Sequence, residues 1–275
     1  MTATQGRATR FHIAPAGGDT GKPLNLQKRI SHLRRYLKVD GSRILDCGCG
    51  DGEYVQALLD LGAEAWGIEY NQDKVASFKR NHRFPERVFV GDTEQLSFPD
   101  GSFDSAILNE VLEHLPDDTR GLREVRRVLK PDGMLVIFSP SRLYPFETHG
   151  VFRKGTQRRI PHYVPFIPYI PLGIGMRFFD YWARNYWPVE LRRMVRDAGF
   201  RIVAKDYVWQ TLENISNNQP RLVARYSPAL RAAFQALEHV PLIRCFGVSQ
   251  LIVARKTIDS IGMPRCGFAT SGEGK

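Results

Sequence analysis

The turn from Asp46 to Gly52 is the segment of this sequence whose residue types point most directly to chemistry. Gly48, Gly50 and Gly52 stand at alternate positions, and glycine permits positive φ angles and a close approach of the backbone to a ligand. An apolar run precedes the turn and a helical pattern follows it, so the turn connects a strand to a helix. Glu69 ends the next apolar run, 21 residues after Gly48. This spacing is close to that of an acid that binds ribose hydroxyls.

Two common phosphate-binding patterns do not match this turn. In the dinucleotide pattern Gly-x-Gly-x-x-Gly, the third glycine would fall at Glu53, and Gly52 stands one position too early. The P-loop pattern also fails, because no Gly-Lys-Ser or Gly-Lys-Thr follows the turn. The turn therefore belongs to neither class.

Polar side chains that could act at a reacting group follow the fourth and fifth apolar runs. Asn109 and Glu110 follow the fourth, where a helix-capping role is an equal alternative to a role at a reacting group. Glu147 and His149 follow the fifth, and an extended segment would place both on one face. A histidine with an ordinary pKa of about 6.5 can take a proton from a hydroxyl group, whereas a solvated loop is the alternative for both residues. His114 is expected to have a structural role.

The elements that must position these residues alternate between extended and helical patterns, which predicts βαβ units and a parallel sheet. Strands are predicted over 43–46, 65–68, 88–90, 103–108, 134–138, 200–208 and 248–254. Helices are predicted over 26–37, 54–61, 71–78, 122–129, 188–198 and 228–237, with Asn71 as a cap and with Pro131-Asp-Gly133 ending the fourth. The predicted fold class is α/β, a doubly wound and mostly parallel seven-stranded sheet with helices on both faces and an aromatic-rich lid insertion.

The chain is expected to form one domain over 23–256, between flexible tails at 1–22 and 257–275. Two insertions interrupt the alternation, a lid at 141–187 and a second insertion at 209–247. The lid mixes aromatic residues and proline with arginine and lysine. We expect this lid to pack over the pocket. The alternative is a lid that, in addition, contacts the substrate or touches a membrane surface.

Composition limits the classes of partner. Lys and Arg number 39 against 29 Asp and Glu, giving a net charge of +10, which favours nucleic acid, phosphorylated metabolites or an acidic membrane surface. Four cysteines without metal-ligand spacing predict reduced thiols and no metal site. The first 20 residues lack the apolar run of a signal peptide, and four prolines interrupt the uncharged stretch 160–176. We expect a cytoplasmic location, with peripheral contact at the inner face of an anionic membrane as a further expectation.

Five segments in order resemble the motifs of class I S-adenosylmethionine-dependent methyltransferases of the small-molecule group. They are the turn 46–52, Glu69, the stretch 91–100, the paired segments 103–104 and 109–114, and the loop 129–133. The resemblance is detailed over about residues 40–140 and looser to about 255. It implies that S-adenosylmethionine binds across the carboxyl ends of the strands, where the order of the sheet reverses.

The resemblance also implies roles for individual residues. Glu69 is expected to accept hydrogen bonds from the two ribose hydroxyls, and Asp92 from the adenine amine. The amide of Thr93 is expected to donate to a ring nitrogen, and Asp46 either braces the turn or meets the cofactor. The expected cofactor-binding residues are Asp46, Gly48, Cys49, Gly50, Gly52, Glu69, Tyr70, Asp92, Thr93, Glu94, Asn109 and Glu110. The expected catalytic residues are Glu110, Glu147 and His149, without a metal.

The expected activity is methyl transfer to a small-molecule, lipid or glycan acceptor, at oxygen. Enzymes of this class that act on base amines have two prolines and an aromatic residue after the fourth strand, whereas this chain has Glu110-Val-Leu. Beyond the net charge, nothing in the sequence favours nucleic acid. An RNA methyltransferase and a non-catalytic S-adenosylmethionine-binding module are the alternatives.

Overall fold

The protein is described by a computed structural model over residues 24–209, 229–230 and 232–257. The predicted tail 1–22 lies outside the described residues. So do residues 210–228 and 231 of the second insertion and all but the first residue of the predicted tail 257–275.

A seven-stranded sheet forms the centre of the fold. Its strands are β1 (Arg43–Cys47), β2 (Glu64–Glu69), β3 (Val88–Val90), β4 (Phe103–Asn109), β5 (Leu129–Pro140), β8 (Phe200–Val208) and β9 (Ser249–Lys256). They lie in the order β3-β2-β1-β4-β5-β9-β8. Only β9 runs antiparallel to its neighbours, which confirms the predicted mostly parallel sheet. The order reverses between β1 and β4, and open α/β sheets bind their ligands at such a point.

Helices cover both faces of this sheet, as predicted. They are α1 (Leu24–Tyr36), α2 (Glu53–Asp60), α3 (Gln72–Asn81), α4 (Asp118–Val128) and α6 (Pro188–Asp197), while α5 (Leu172–Phe178) lies apart in the segment 141–187. Leu33, Leu58 and Phe78 from the first three helices pack in one hydrophobic cluster. Leu122 and Leu191, from α4 and α6, pack in a second cluster on the other face. Residues 232–238 are also helical.

Two helix starts follow directly from local sequence. The Asn71 side chain accepts hydrogen bonds from the amides of Asp73 and Lys74, at 2.9 and 3.3 Å, which confirms the predicted cap. Asp117 accepts from the amide of Arg120 at 2.9 Å and so begins α4. In both cases a short polar side chain satisfies amides that the first helical turn leaves unpaired.

The fifth strand begins earlier than its pattern predicted. The structure begins β5 at Leu129, five residues before the expected start, and Phe103 pairs with Leu129 before the register shifts to Ser105 with Met134. Asp132 takes a left-handed φ of 59° within the shifted part. The Pro-Asp-Gly segment is therefore a bulge inside a longer strand rather than the end of the pairing.

Residues 141–187 contain secondary structure that the sequence did not predict. Strands β6 (Val151–Arg153) and β7 (Phe179–Tyr181) form a separate antiparallel pair. With Ile167, these strands build a third hydrophobic cluster, distinct from the two beside the main sheet. Arg142 donates to the carbonyls of Pro168 and Ile170, which ties this segment to the end of β5. Within the described part of the chain, no helix combines the length and apolar character needed to cross a bilayer.

We predict that Gly52→Ala destabilises the fold more than Gly41→Ala does. Both glycines have positive φ, 77° and 68°. A Cβ at Gly52 would collide with the Phe78 ring, whereas a Cβ at Gly41 would meet no atom within 4 Å. Backbone strain alone should cost about 1 kcal/mol at Gly41, and the collision should add about 1–3 kcal/mol at Gly52.

Urea unfolding of the two single variants measures this difference. Equal losses of unfolding free energy would contradict the close packing of the turn on α3.

Candidate functional site

The glycine turn leaves an open surface at the carboxyl end of β1. Gly48, Gly50 and Gly52 all have positive φ, between 57° and 77°. A Cβ at Gly48 would overlap the Val111 side chain, so β4 and the turn approach closely there. At Gly50, by contrast, a Cβ would meet only the Lys74 ammonium, at 3.8 Å. The backbone at Gly50 is therefore free to contact a ligand.

Asp46 lies beneath the turn and lacks a hydrogen-bond partner. Its side chain is 1% exposed, and neither carboxyl oxygen has a hydrogen bond. Burial, with a smaller contribution from the charge of Glu69, raises the pKa of Asp46 to about 8. Buried polar groups are almost always paired in native proteins. This carboxyl group is therefore placed to receive a donor from a bound ligand.

Glu69 connects the end of β2 to the glycine turn. One carboxylate oxygen accepts from the amide of Gly50 at 2.8 Å, and the other accepts from the amide of Asn71 at 2.9 Å. Each oxygen keeps a second lone pair for a ligand hydroxyl. The neighbouring Tyr70 side chain is largely exposed, and Cys49 is buried with its amide bonded to the carbonyl of Ile68.

The loop after β3 places its three predicted residues differently. Asp92 is exposed and accepts from the amide of Glu94 at 2.8 Å, while Thr93 is buried. The Glu94 carboxylate points away from the loop and accepts from the amide of Asp117 at 2.7 Å. The side chain of Glu94 therefore supports the start of α4. If Glu94 contacts a cofactor, its backbone makes that contact.

A cluster of charged side chains lies at the end of β4, next to the glycine turn. The Glu110 carboxylate accepts from Arg29 Nη2 at 2.7 Å and from Ser249 Oγ at 2.5 Å. Arg29 also donates to the Asn109 side chain and lies 5.0 Å from the centre of the Phe138 ring. These contacts hold together α1, β4 and the start of β9. Glu110 has a left-handed φ of 56°, a conformation uncommon for a residue with a Cβ.

Electrostatics separate the two acids of this cluster. Burial opposes ionisation of Glu110, but Arg29 and His149 outweigh it and lower the pKa of Glu110. Glu113 is fully buried, and burial together with the Glu110 charge raises the pKa of Glu113 well above its usual range. One carboxyl group is therefore held ionised, and its neighbour is held protonated.

His149 reaches this cluster from the segment after β5. Its Nε2 lies 3.8 Å from a Glu110 oxygen and 3.6 Å from a Glu113 oxygen. Its ring centre lies 5.0 Å from that of His114. Burial, together with the nearby His149, lowers the pKa of His114 to about 4. His114, expected to be structural, thus lies beside the predicted base.

Three groups of the cluster also have a spacing compatible with a metal ion. One ligand atom each from Glu113, His114 and His149 lies within 4.8 Å of the others. The expectation of no metal stays a prediction.

Glu147 positions the loop rather than the reacting end of the site. Its carboxylate accepts from the amides of Thr148 and His149, both at 3.1 Å, and from Asn185 Nδ2 at 2.8 Å. The backbone bends at 148–149 instead of running extended. Glu147 and His149 therefore do not point together, and Glu147 fixes the backbone that carries His149. Its catalytic role stays a prediction.

Sequence reasoning did not find Arg29, Glu113 or Ser249. Arg29 precedes the glycine turn on a helix with an ordinary amphipathic pattern, and Ser249 begins β9, more than 100 residues after β4. The spacing of Glu110, Glu113 and His114 within five residues was the one available indication for Glu113.

Comparisons with known proteins agree with this geometry. Residues 45–137 match the family model described as a methyltransferase domain. A ubiquinone biosynthesis O-methyltransferase of Xanthomonas oryzae is 34% identical over 128 residues, covering 44% of this chain and 53% of that protein. A demethylmenaquinone methyltransferase of Beutenbergia cavernae is 37% identical over 110 residues, covering 39% and 45%. The chain thus spans about half the length of these curated relatives.

A solved structure extends the likeness over most of the chain. The S-adenosylmethionine-dependent methyltransferase of Methanosarcina mazei superimposes with a TM-score of 0.54 at 21% identity, covering 83% of this chain and 98% of that one. At this identity the superposition shows a shared fold. Together with the match of 45–137 to a methyltransferase domain, it supports a class I S-adenosylmethionine-dependent methyltransferase, with S-adenosylmethionine as the cofactor.

Proposed function

We propose that the chain transfers a methyl group from S-adenosylmethionine to an oxygen atom of a small-molecule acceptor. The observation that carries this proposal is the position of His149. It lies within 4 Å of one carboxyl group that is held ionised and one that is held protonated, in the cluster at the end of β4. A hydroxyl acceptor must lose a proton during transfer, and a histidine is the side chain best suited to take it near neutral pH.

The chemical groups of the cofactor fit the residues around the turn. The buried, unpartnered carboxyl of Asp46 suits the ammonium group of the methionine portion. Glu69 has free lone pairs for the ribose hydroxyls, and Asp92 is the acid available to the adenine amine. Gly50 leaves the backbone open where the ligand must pass. Asn109 ends β4, the neighbour of the strand that leads into the turn, and Glu110 follows it, so both would be available to the reacting end of a bound cofactor.

The bound cofactor supplies an electrophilic methyl group on a sulfonium, with a neutral thioether as leaving group. The protein therefore mainly orients the acceptor and excludes water. His149 Nε2 accepts the proton of the acceptor hydroxyl. The Glu110 carboxylate, kept ionised by Arg29 and Ser249, stabilises the resulting imidazolium. Glu147 holds the backbone of His149 in place.

The two relatives named above support a small-molecule acceptor, since both names refer to quinone substrates or quinone biosynthesis. We propose that residues 23–256 act as one domain and that 141–187 covers the pocket and contacts the acceptor. This segment leaves the carboxyl end of β5 and contributes His149. The following experiment distinguishes this acceptor from a lipid, a glycan or an RNA acceptor.

Cell extract incubated with the protein and S-adenosylmethionine carrying an isotopically labelled methyl group tests the proposal. Mass spectrometry should find the label in a small organic molecule, on an oxygen atom. Label found only in RNA would favour the RNA methyltransferase. Cofactor binding without label in any fraction would favour the non-catalytic module.

Binding of S-adenosylmethionine at pH 7 should release about one proton from the wild-type protein and none from Asp46→Asn. Without ligand, a pKa of about 8 keeps Asp46 largely protonated at this pH. Contact with an ammonium group requires the ionised form, so binding lowers the pKa and affinity should rise from pH 6 to 7.5. Calorimetry in two buffers of different ionisation enthalpy measures the protons released. Equal release from both proteins would show that Asp46 does not meet the ammonium.

Glu69→Ala should weaken cofactor binding by about 1.5–3 kcal/mol, because a charged hydrogen-bond acceptor is removed. Glu64→Ala is the matched control, since Glu64 lies at the other end of the same strand and is about half exposed. Titration calorimetry compares the two variants. An unchanged affinity in Glu69→Ala would mean that another residue binds the ribose.

His149→Asn should lower kcat by about 100-fold or more while leaving cofactor affinity within about threefold, as for the loss of a general base. His162→Asn serves as the control, because His162 is an exposed histidine of the same segment. The measurement uses the acceptor identified by mass spectrometry, over a range of pH. A fall in cofactor affinity that accounts for the whole rate loss would assign His149 to binding instead.

A further inference from the structure

The segment 148–179 has a one-sided charge. It contains five Lys and Arg residues and no Asp or Glu. All five basic side chains are exposed. Lys154 pairs with Asp180, just beyond the segment, at 2.9 Å. The segment therefore presents a positive surface that attracts anions. The basic residues are Arg153, Lys154, Arg158, Arg159 and Arg177.

The same segment exposes large apolar side chains. They are Tyr163 at 77%, Phe166 at 58%, Ile174 at 55%, Met176 at 37% and Phe178 at 60% exposure. None of them belongs to the hydrophobic cluster formed by β6, β7 and Ile167. Single exposed apolar residues are common, but five within 16 residues form a patch that usually marks a binding surface.

Helix α5 has one face packed on the small sheet and one face that is largely exposed to solvent. A Cβ at Gly175 would collide with the Tyr181 ring, and Leu172 packs on the same cluster, so this face is held against β7. Ile174 and Phe178, four positions apart, lie together on the outer face. Covering this outer face would remove apolar surface from water without disturbing the packed face.

The charged and apolar parts are adjacent. The amide of Lys154 donates to the carbonyl of Phe178 at 2.8 Å, and Arg153 pairs with Phe179 in the small sheet. The basic turn 153–159 therefore lies beside the carboxyl end of α5. We call the exposed side chains of 153–178 the docking surface.

We propose that the docking surface binds an anionic lipid bilayer. Aliphatic and aromatic side chains enter the boundary between head groups and acyl chains, while Arg and Lys contact the lipid phosphates. The excess of basic side chains over the acid Asp180, which pairs with Lys154, favours this partner over a protein surface of mixed charge. RNA would use the same cations but has no apolar layer to receive Ile174, Met176 and Phe178. The inference does not depend on the methyl acceptor.

The position of the surface relates it to the pocket. It belongs to the segment that leaves β5 and carries His149 at its start. A protein held on the bilayer by 153–178 would have this segment next to the lipid, so an apolar acceptor could pass between bilayer and pocket without crossing water.

Sedimentation with vesicles tests the proposal on the full chain. The protein should bind vesicles of phosphatidylcholine mixed with phosphatidylglycerol, and only weakly vesicles of phosphatidylcholine alone. Binding should fall in high salt, because each basic side chain near an anionic surface contributes about fivefold to affinity. Arg158→Glu with Arg159→Glu should therefore weaken binding by at least about tenfold. Arg80→Glu with Arg83→Glu, exposed positions at and just beyond the end of α3, are the matched control and should bind like wild type.

The apolar contribution has its own pair of variants. Ile174→Ser with Phe178→Ser should weaken vesicle binding by about tenfold or more at unchanged charge. Val189→Ser, at an exposed position of α6, should leave it unchanged. Cofactor affinity, measured in each variant, confirms that the fold is retained. Charge-dependent binding that is equal in the serine variants and wild type, or preferential binding to an RNA oligonucleotide, would overturn the proposal.

Discussion

The ion pair between Arg29 and Glu110 organises the reacting end of the molecule. Through Arg29 it joins α1 to the end of β4, and through Ser249 it reaches the start of β9. Arg29 is buried and Glu110 is partly buried, so removing Glu110 would leave the guanidinium charge without compensation and destabilise the fold. Three elements distant in sequence are thus held around one guanidinium.

The same pair sets the protonation of its neighbours. Arg29 keeps Glu110 ionised, and the Glu110 charge together with burial keeps Glu113 protonated. His149 faces both carboxyl groups at comparable distances. An imidazolium on His149 would therefore be stabilised by the Glu110 carboxylate. The protonated Glu113 adds no second negative charge to the buried site. This difference between two similar side chains comes from their surroundings and not from their chemistry.

The cofactor end of the site follows a different principle. That end consists mainly of backbone groups and single carboxyl groups. The Gly50 amide donates to Glu69, and the Asp46 carboxyl group is buried without a hydrogen bond. Such groups cost free energy in the absence of ligand. The proposed cofactor region thus has a buried carboxyl group that suits a positively charged ligand, whereas the proposed acceptor region is built from mutually paired side chains.

The sequence by itself determined the alternation of strands and helices, the glycine turn and the position of Glu69, because hydrophobic period and glycine conformation act over a few residues. It could not predict that Pro131-Asp-Gly133 bulges inside β5, since that depends on pairing with β4.

Only the tertiary structure decided the acceptor end. Arg29, the neighbouring acids Glu110 and Glu113, and His149 come from three distant parts of the chain, and the pKa values of Arg29, Glu110 and Glu113 depend on burial and on each other's charge. Likewise, Glu147, which accepts from the amides of its own loop, also accepts from Asn185, 38 residues along the chain. Long-range contacts of this kind leave no periodic pattern in a single sequence, because the residues that meet are separated by chain lengths unrelated to any local repeat.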